Sequence, residues 1–396
     1  SKDGRNLTDV LFLRQHTQKR AILESLDDFV QSCVRGITSS QLRKLYDLVI
    51  GAKQAGEIQI QRPQFAYLIA RQPNEEARKL MILVDELAKR VTDKDTVNDF
   101  KWVFEAIVSF HKYHEALTDR RARYPADKIV NNLRKDIAIE DLLKVHQQKN
   151  VQKIEQLLDQ LEKFIEGIVR HLTTTQIRRV YDKILAVQSA EEVSLLRPFL
   201  AYTTARQERE GGVKMMLLLL ELSKTFNEES QTLVAFKKVV EIILSIHKYY
   251  DTTKGRSESD KILLKKVYRD YFGEKATNQD LLHGVSDYQD FQKKLQKLIL
   301  NNLDGLNTAQ LRKLYDEVQP IQSDELEELH LKRPLFLYLA GRQNDNRAKR
   351  ISLFLNDLIK ATTDKEKLKR FQQIMEDVVA YHKYYDTVKL LKQEIA

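Results

Sequence analysis

The sequence predicts an all-α protein built as three tandem small helical bundles of about five helices each, joined by basic, partly helical linkers. Two observations predict it. Leu, Lys, Glu, Gln and Arg dominate, and these straight-chain residues lose little rotamer freedom in a helix; only 12 glycines and 6 prolines interrupt 396 residues. The second observation is internal self-similarity. Gln41-Leu42-Arg43-Lys44-Leu45-Tyr46-Asp47 returns as Gln176-Ile177-Arg178-Arg179-Val180-Tyr181-Asp182 and as Gln310-Leu311-Arg312-Lys313-Leu314-Tyr315-Asp316. A block Arg-Pro-x-x-x-Tyr-x-x-Ala/Gly-Arg-Gln follows at Arg62 to Gln72, Arg197 to Gln207 and Arg333 to Gln343, and His-Lys-Tyr closes each copy at His111, His247 and His382.

A period of roughly 135 residues is far longer than a solenoid repeat, so each copy is long enough to fold as a domain. The modules are expected at 1–117, 148–252 and 287–396, with linkers at 118–147 and 253–286. In the first copy a helix at about 17 to 36 carries the 3.6-period stripe Ile22, Leu26, Phe29, Val30 and Val34, with Cys33 packed in the same run. Thr38-x-x-Gln41 is a capping box that starts a second helix at about 38 to 51; Thr173-x-x-Gln176 repeats it, and Asn307 takes the cap position in the third copy. Pro63, Pro198 and Pro334 suit the first turn of a third helix, at about 62 to 72, with the preceding Arg just outside it. A fourth helix at about 75 to 91 and a fifth at about 95 to 117, striped by Phe100, Val103, Phe104, Ile107 and Val108, complete the unit.

The net charge of +9 points toward an anionic partner, because summed positive potential attracts phosphate. The linkers hold much of it. Thr118 to Asp136 has six Lys/Arg against three Asp and Lys254 to Lys275 seven against four acidic residues, so six of the nine excess charges lie there. These stretches read equally as phosphate contacts or as solvated helices such as Lys261 to Tyr271. The longest apolar run, Met215 to Leu220, is too short to cross a bilayer, and no leader or lipidation motif is seen, so no membrane is expected. With a single cysteine, Cys33, a reducing, cytoplasmic setting is the expectation.

The candidate binding residues are cations that recur in phase: Arg43, Arg178 and Arg312 in the second helix, Arg71, Arg206 and Arg342 at the end of the third, and Lys79, Lys214 and Arg350 in the fourth. A guanidinium matches phosphate oxygens bidentately, so one such group per module would form a ladder along a polyanion. The competing local reading pairs Arg43 with Asp47, Arg178 with Asp182 and Arg312 with Asp316 along each helix. Arg62, Arg197 and Arg333 are expected to anchor a loop. Tyr67, Tyr202 and Tyr338, four residues before the third-helix arginines, are expected in the core with their hydroxyls at its rim. No Ser, Cys or carboxylate partner is identified for His111, His247 or His382, which read as capping or packing residues. No catalytic residue, metal site, cofactor or small-molecule substrate is expected, and the Arg-x(4 to 6)-His pattern of helical HEPN nucleases is missing before each histidine.

Thr-x-x-Gln-Leu/Ile-Arg-Lys/Arg-x-Tyr-Asp followed by Arg-Pro-x-x-x-Tyr-x-x-Ala-Arg resembles the small subunit of the type III-A CRISPR effector, the Csm complex, in all three modules. The resemblance implies a non-catalytic protein that stacks along a guide RNA filament and touches guide RNA and target RNA through basic residues, with cleavage left to the backbone subunits and signalling or DNase chemistry to the large subunit. It carries the contacts onto Arg43, Arg71, Lys79, Arg178, Arg206, Lys214, Arg312, Arg342 and Arg350. This chain departs from the family in fusing three modules, which raises their effective concentration for one another, and in having Asn307 and Gly341 in the third. The alternative is a helical protein–protein scaffold without direct RNA contact.

Overall fold

The computed structural model describes residues 7–118, 126–227, 232–253, 260–283, 288–305, 307–342 and 346–395, and every regular element among them is helical. In the first repeat α1 (Leu7–Leu11) precedes α2 (Lys19–Cys33), α3 (Ser39–Ile50), α4 (Ala55–Arg71), α5 (Glu75–Ala88) and α6 (Lys94–Thr118). The capping box at α3 forms as expected: the Thr38 hydroxyl accepts from the Gln41 N–H and the Gln41 side chain accepts from the Thr38 N–H. Asn74 caps α5 by accepting from the N–H groups of Glu76 and Ala77. Cys33 is buried with Ile22, Leu23, Leu26 and Val30 on the inner face of α2.

One boundary is corrected. α4 begins at Ala55, so Arg62 and Pro63 lie inside the helix rather than at its start. Ala55 to Gln61 contains no strong breaker except Gly56, and a helix already under way accommodates the proline at the loss of one backbone hydrogen bond. In the other repeats the helix begins at the Arg-Pro step, with Arg197 and Arg333 as its first residues rather than just outside it.

The connector helices α7 (Ala126–Asp136) and α8 (Ile139–Leu143) lead to the second repeat: α9 (Val151–Ile168), α10 (Thr174–Leu185), α11 (Arg197–Ala205), α12 (Glu210–Thr225) and α13 (Leu233–Thr253). A 3₁₀ helix at Glu191–Leu196 runs directly into α11. α14 (Asp260–Val267) and α15 (Asn278–Leu282) then lead to α16 (Tyr288–Asn301), α17 (Thr308–Val318), α18 (Leu326–Leu331), α19 (Arg333–Arg342), α20 (Asn346–Ala361) and α21 (Lys365–Ile395).

Two compact units divide the chain, with one border in the first connector and two inside the second repeat: Ser1–Glu140 with Asp182–Lys237, and Asp141–Tyr181 with Lys238–Ala396. In the first unit α11 packs on α6, the 3₁₀ helix packs on α2, and α7 packs on α12. In the second, α18 packs on α9, and Tyr249 of α13 is buried with Leu337 and Ala340 of α19.

The second connector is not a solvated linker helix as the sequence allowed. Val267, Tyr268, Phe272, Leu281 and Leu282 enter one core with Phe291, Leu295 and Phe354. Phe272 stacks on Phe354 with ring centroids 5.1 Å apart, and the Tyr268 hydroxyl donates to Asp357 at 2.8 Å. At about 1.5–3 kcal/mol per buried large side chain, these residues make the connector part of the third repeat's core. In the first connector Arg134 Nε donates to the buried Glu221 carboxylate at 3.1 Å, so this cation is committed within its unit. Arg120, Arg121, Arg123, Lys254 and Arg256, counted among the basic linker residues, lie outside the described residues.

Candidate nucleic-acid interface

The second-helix arginines point outward. Arg43, Arg178 and Arg312 are all exposed, because Leu42, Leu45 and Val49 and their counterparts Ile177, Val180, Leu311 and Leu314 take the inner face. Arg43 donates through Nε to Asp47 Oδ1 at 3.2 Å, with both side chains about half exposed. An exposed i,i+4 pair of this kind holds its partners by only about 0.3–0.5 kcal/mol. Its guanidinium carbon is also 5.5 Å from the centroid of Tyr46, whose hydroxyl burial pushes up to about 12. Arg178 and Arg312 make no ion pair among the described residues.

The third-helix arginines share a geometry that the sequence reading missed. Arg71, Arg206 and Arg342 are exposed, and each guanidinium lies over the ring of the tyrosine four residues earlier: 5.4 Å from Tyr67, 5.7 Å from Tyr202 and 5.9 Å from Tyr338. Arg71 also donates to the Tyr67 hydroxyl at 2.9 Å. These tyrosines are therefore not core residues; Tyr67 is exposed, and Tyr202 and Tyr338 are half-buried. The i,i+4 spacing itself carried the signal, since it sets the two side chains one above the other on a helix. A cation held over an aromatic face keeps its outer edge free for phosphate, and the ring beside it offers a stacking surface to a base.

In the fourth helix Lys79 is exposed and bonds Glu75 at 2.8 Å, and Lys214 bonds Glu210 at 2.7 Å; Arg350 is half-buried. Both lysines thus stand beside a carboxylate of their own first turn, which dilutes their charge.

The Arg-Pro arginines do something else. Arg197 is 4% and Arg333 0% exposed. Arg197 Nη1 reaches Glu24 of α2 at 2.9 Å. Arg333 reaches three carboxylates of α9: Glu155 at 2.6 Å, Glu162 at 2.8 Å and Asp159 at 3.5 Å. Burial drives the Glu162 carboxyl up while Arg333 opposes it. Around Glu24, burial is outweighed by the hydrogen bonds from Arg197 and Arg20, and its carboxyl sits below the usual range. These arginines anchor one repeat to the preceding one rather than a loop.

Two of the closing histidines have hydroxyl partners after all. His111 Nδ1 lies 3.2 Å from the Ser39 hydroxyl and His382 Nδ1 lies 3.0 Å from the Thr308 hydroxyl. A carboxylate four residues after each histidine completes the set: Glu115 accepts from the Ser39 N–H at 3.0 Å, Asp251 from the Thr174 N–H and hydroxyl at 3.0 and 2.6 Å, and Asp386 from the Thr308 hydroxyl at 3.4 Å. The signal was a hydroxyl directly after each helix cap. All three histidines are buried, and burial lowers the His111 pKa. A ring sealed in the bundle can pin the last helix to the start of the second but offers no surface to a substrate.

Among the described residues no group of three metal-ligating side chains is assembled, and no helix is long and apolar enough to cross a membrane.

A family model described as Csm2 Type III-A matches the chain three times, over residues 18–116, 148–253 and 286–388, leaving out the two connectors. No curated protein and no solved structure matches it.

Proposed function

From the premise that the chain belongs to the Csm2 Type III-A family, the small subunit of a type III-A CRISPR complex, and carries it three times in tandem, we propose that it is a non-catalytic RNA-binding structural subunit of that ribonucleoprotein. Its modules, 1–117, 148–252 and 287–396, lie along the guide and target RNA duplex in antiviral defence, in the cytoplasm, against the backbone and large subunits of the complex. Arg43, Arg178, Arg312, Arg71, Arg206 and Arg342 hold phosphates, and Lys79, Lys214 and Arg350 add positive potential beside them.

The observation that carries this reading is the tyrosine-held guanidinium at the end of the third helix, exposed in every repeat. A core-packing role would bury it, and an ion-pair role would set a carboxylate against it. Binding through phosphates is independent of sequence and steeply dependent on salt. The test is the affinity of the chain for an RNA duplex at two salt concentrations. A large loss between about 50 and 200 mM supports phosphate contacts, whereas no salt dependence favours the protein–protein scaffold, which the anchoring pairs of Arg197 and Arg333 also support.

A further inference from the structure

A cavity of about 320 Å³ opens within the second compact unit, where α13 and the 3₁₀ turn at Val145–Gln147 meet the stretch from α17 to α19. Its size is at the lower end of the range for sites that take small molecules. Ile242, Leu331, Pro334 and Leu335 give it an apolar wall. Lys238, Lys313, Lys332, Glu241, Glu317 and Glu328 bring charge to it, and a single pair among them is closed, Lys332 with Glu317 at 2.6 Å. Lys238, Lys313, Glu241 and Glu328 make no hydrogen bond or ion pair among the described residues. Charges of both signs that converge on an apolar-walled cavity without neutralising one another suit a ligand site better than a packed seam.

His146 marks the cationic end. Both of its ring nitrogens are covered and have no hydrogen-bond partner, a rare state for buried polar atoms. Burial, then Lys238 and Lys332, hold the ring neutral, and none of the three glutamates is among the groups that act on it. Positive charge is thus gathered beside the ring, and the free carboxylates stand farther off.

This arrangement is particular to its junction. Leu7 to Gln15 aligns with Ile139 to Gln147 without a gap, Asp9 matching Asp141 and Leu11 matching Leu143, so His146 stands where Arg14 does. Arg14 meets Asp99 at 3.7 Å, and Gln15 donates to the same carboxylate at 2.9 Å. Counting back from the closing histidines puts Ala235 at the place of Asp99 and Lys238 at that of Trp102; counting from the Arg-Pro step puts Lys332 at that of Leu196. The exchange removes a carboxylate and an indole and sets two ammonium groups about one imidazole. A bound anion relieves that crowding.

We propose that this cavity binds a nucleoside monophosphate, with the phosphate at the Lys238 and Lys332 end beside His146, the base against Ile242 and Leu335, and the carboxylates of Glu241 and Glu328 accepting from the N–H groups of the base. A phosphomonoester brings nearly two negative charges at neutral pH and three acceptor oxygens. A base brings a flat apolar face and, in guanine and cytosine, amino protons that a carboxylate accepts. A bare anion would leave both carboxylates unused, and a diamine would leave the lysines unused. The same chemistry is offered by a free nucleotide and by the phosphorylated end of an RNA strand.

The test follows the His146 imidazole by NMR in the full chain with isotope-labelled histidine and without RNA; His146→Gln identifies its signal. Guanosine monophosphate is expected to shift that signal with a dissociation constant below about 1 mM, and to move the ring's titration midpoint upward, because a nearby dianion favours the protonated form. Guanosine and inorganic phosphate should each bind at least about tenfold more weakly, as should guanosine monophosphate to the Lys238→Gln chain. The Arg43→Ala, Arg178→Ala, Arg312→Ala chain should bind guanosine monophosphate as the wild type does, so this site and the RNA-binding reading fail separately. A short RNA that displaces the nucleotide only when 5′-phosphorylated identifies a strand end as the source, and displacement by neither form identifies a free nucleotide. Displacement by both forms overturns the proposal, since the chain then reads backbone phosphate there. So does an unmoved His146 signal, equal binding of guanosine or of inorganic phosphate, or undiminished binding by a Lys238→Gln chain of unchanged helical signal.

Discussion

Arg333 Nη1 lies 2.6 Å from Glu155 Oε2, joining the third helix of the last repeat to the first helix of the middle one, with the guanidinium fully buried. His330 Nδ1 shares that carboxylate at 2.6 Å, and the second Nη group of Arg333 turns to Glu162. Such a cluster is tolerated inside a protein because every charge has a partner in good geometry.

Removing Arg333 strands these carboxylates. Arg333→Ala is expected to destabilise by about 3–5 kcal/mol. Arg197→Ala should cost about 1–3 kcal/mol because Glu24 is half exposed and keeps Arg20. Arg62→Ala, whose pair reaches solvent, should cost less than about 1 kcal/mol. Urea unfolding followed by circular dichroism reads the order, and an equal effect at all three sites would contradict it.

Gly341 is the odd residue where the other repeats have Ala70 and Ala205. Gly341→Ala should cost about 1–3 kcal/mol by forcing α19 and α13 apart. Gly51→Ala is the control: no atom lies within 4 Å of an added Cβ, and the change should be neutral or stabilise by about 0.4–1 kcal/mol. Thermal melts of the two variants compare them directly.

For RNA, the triple variant Arg43→Ala, Arg178→Ala, Arg312→Ala should weaken binding and lower the slope of log affinity against log salt by about 2–3, while the helical signal is unchanged. Replacing Tyr67, Tyr202 and Tyr338 by Leu should cost about 1–3 kcal/mol of RNA affinity for each base that stacks there. If the arginine variant unfolds, those side chains are structural.

His146 sets a pH dependence. Burial, reinforced by Lys238 and Lys332, lowers its pKa from 6.5 to about 4. A base with a depressed folded pKa binds more protons when unfolded, so its contribution is complete above pH 6.5 and declines as the pH falls from there toward about 4. After allowance for partial exposure the loss is about 1–2 kcal/mol. Melting temperatures of the wild type and His146→Gln between pH 7 and pH 5 should converge as the pH drops; parallel curves would refute the assignment.

Much of the fold was legible in the residues. Helical periodicity located α2, α3, α5 and α6 to within a few residues, and the Thr38, Thr173 and Asn307 caps form as their side chains dictate. The start of α4 was misplaced because Pro63 was given the meaning that Pro198 and Pro334 have. Outward guanidinium groups at Arg43, Arg178 and Arg312 follow from the apolar stripe on their helices. Neither the fate of Arg197 and Arg333 nor the hydroxyl partners of His111 and His382 could be read locally, since those contacts join positions about 70 or more residues apart. The third copy's departures have packing reasons: Asn307 is a full cap, and Gly341 admits a neighbouring backbone.

Both inner seams pair an arginine with an acidic group at one matched place, Glu24 in the first and Asp159 in the second, while Arg20 stands where the other seam has Glu155, so each seam is particular to the two repeats it joins. Loss of one whole period would therefore bring Arg333 toward Arg20 rather than Glu155, like charge against like, so the order of these three repeats is written into the contacts that join them.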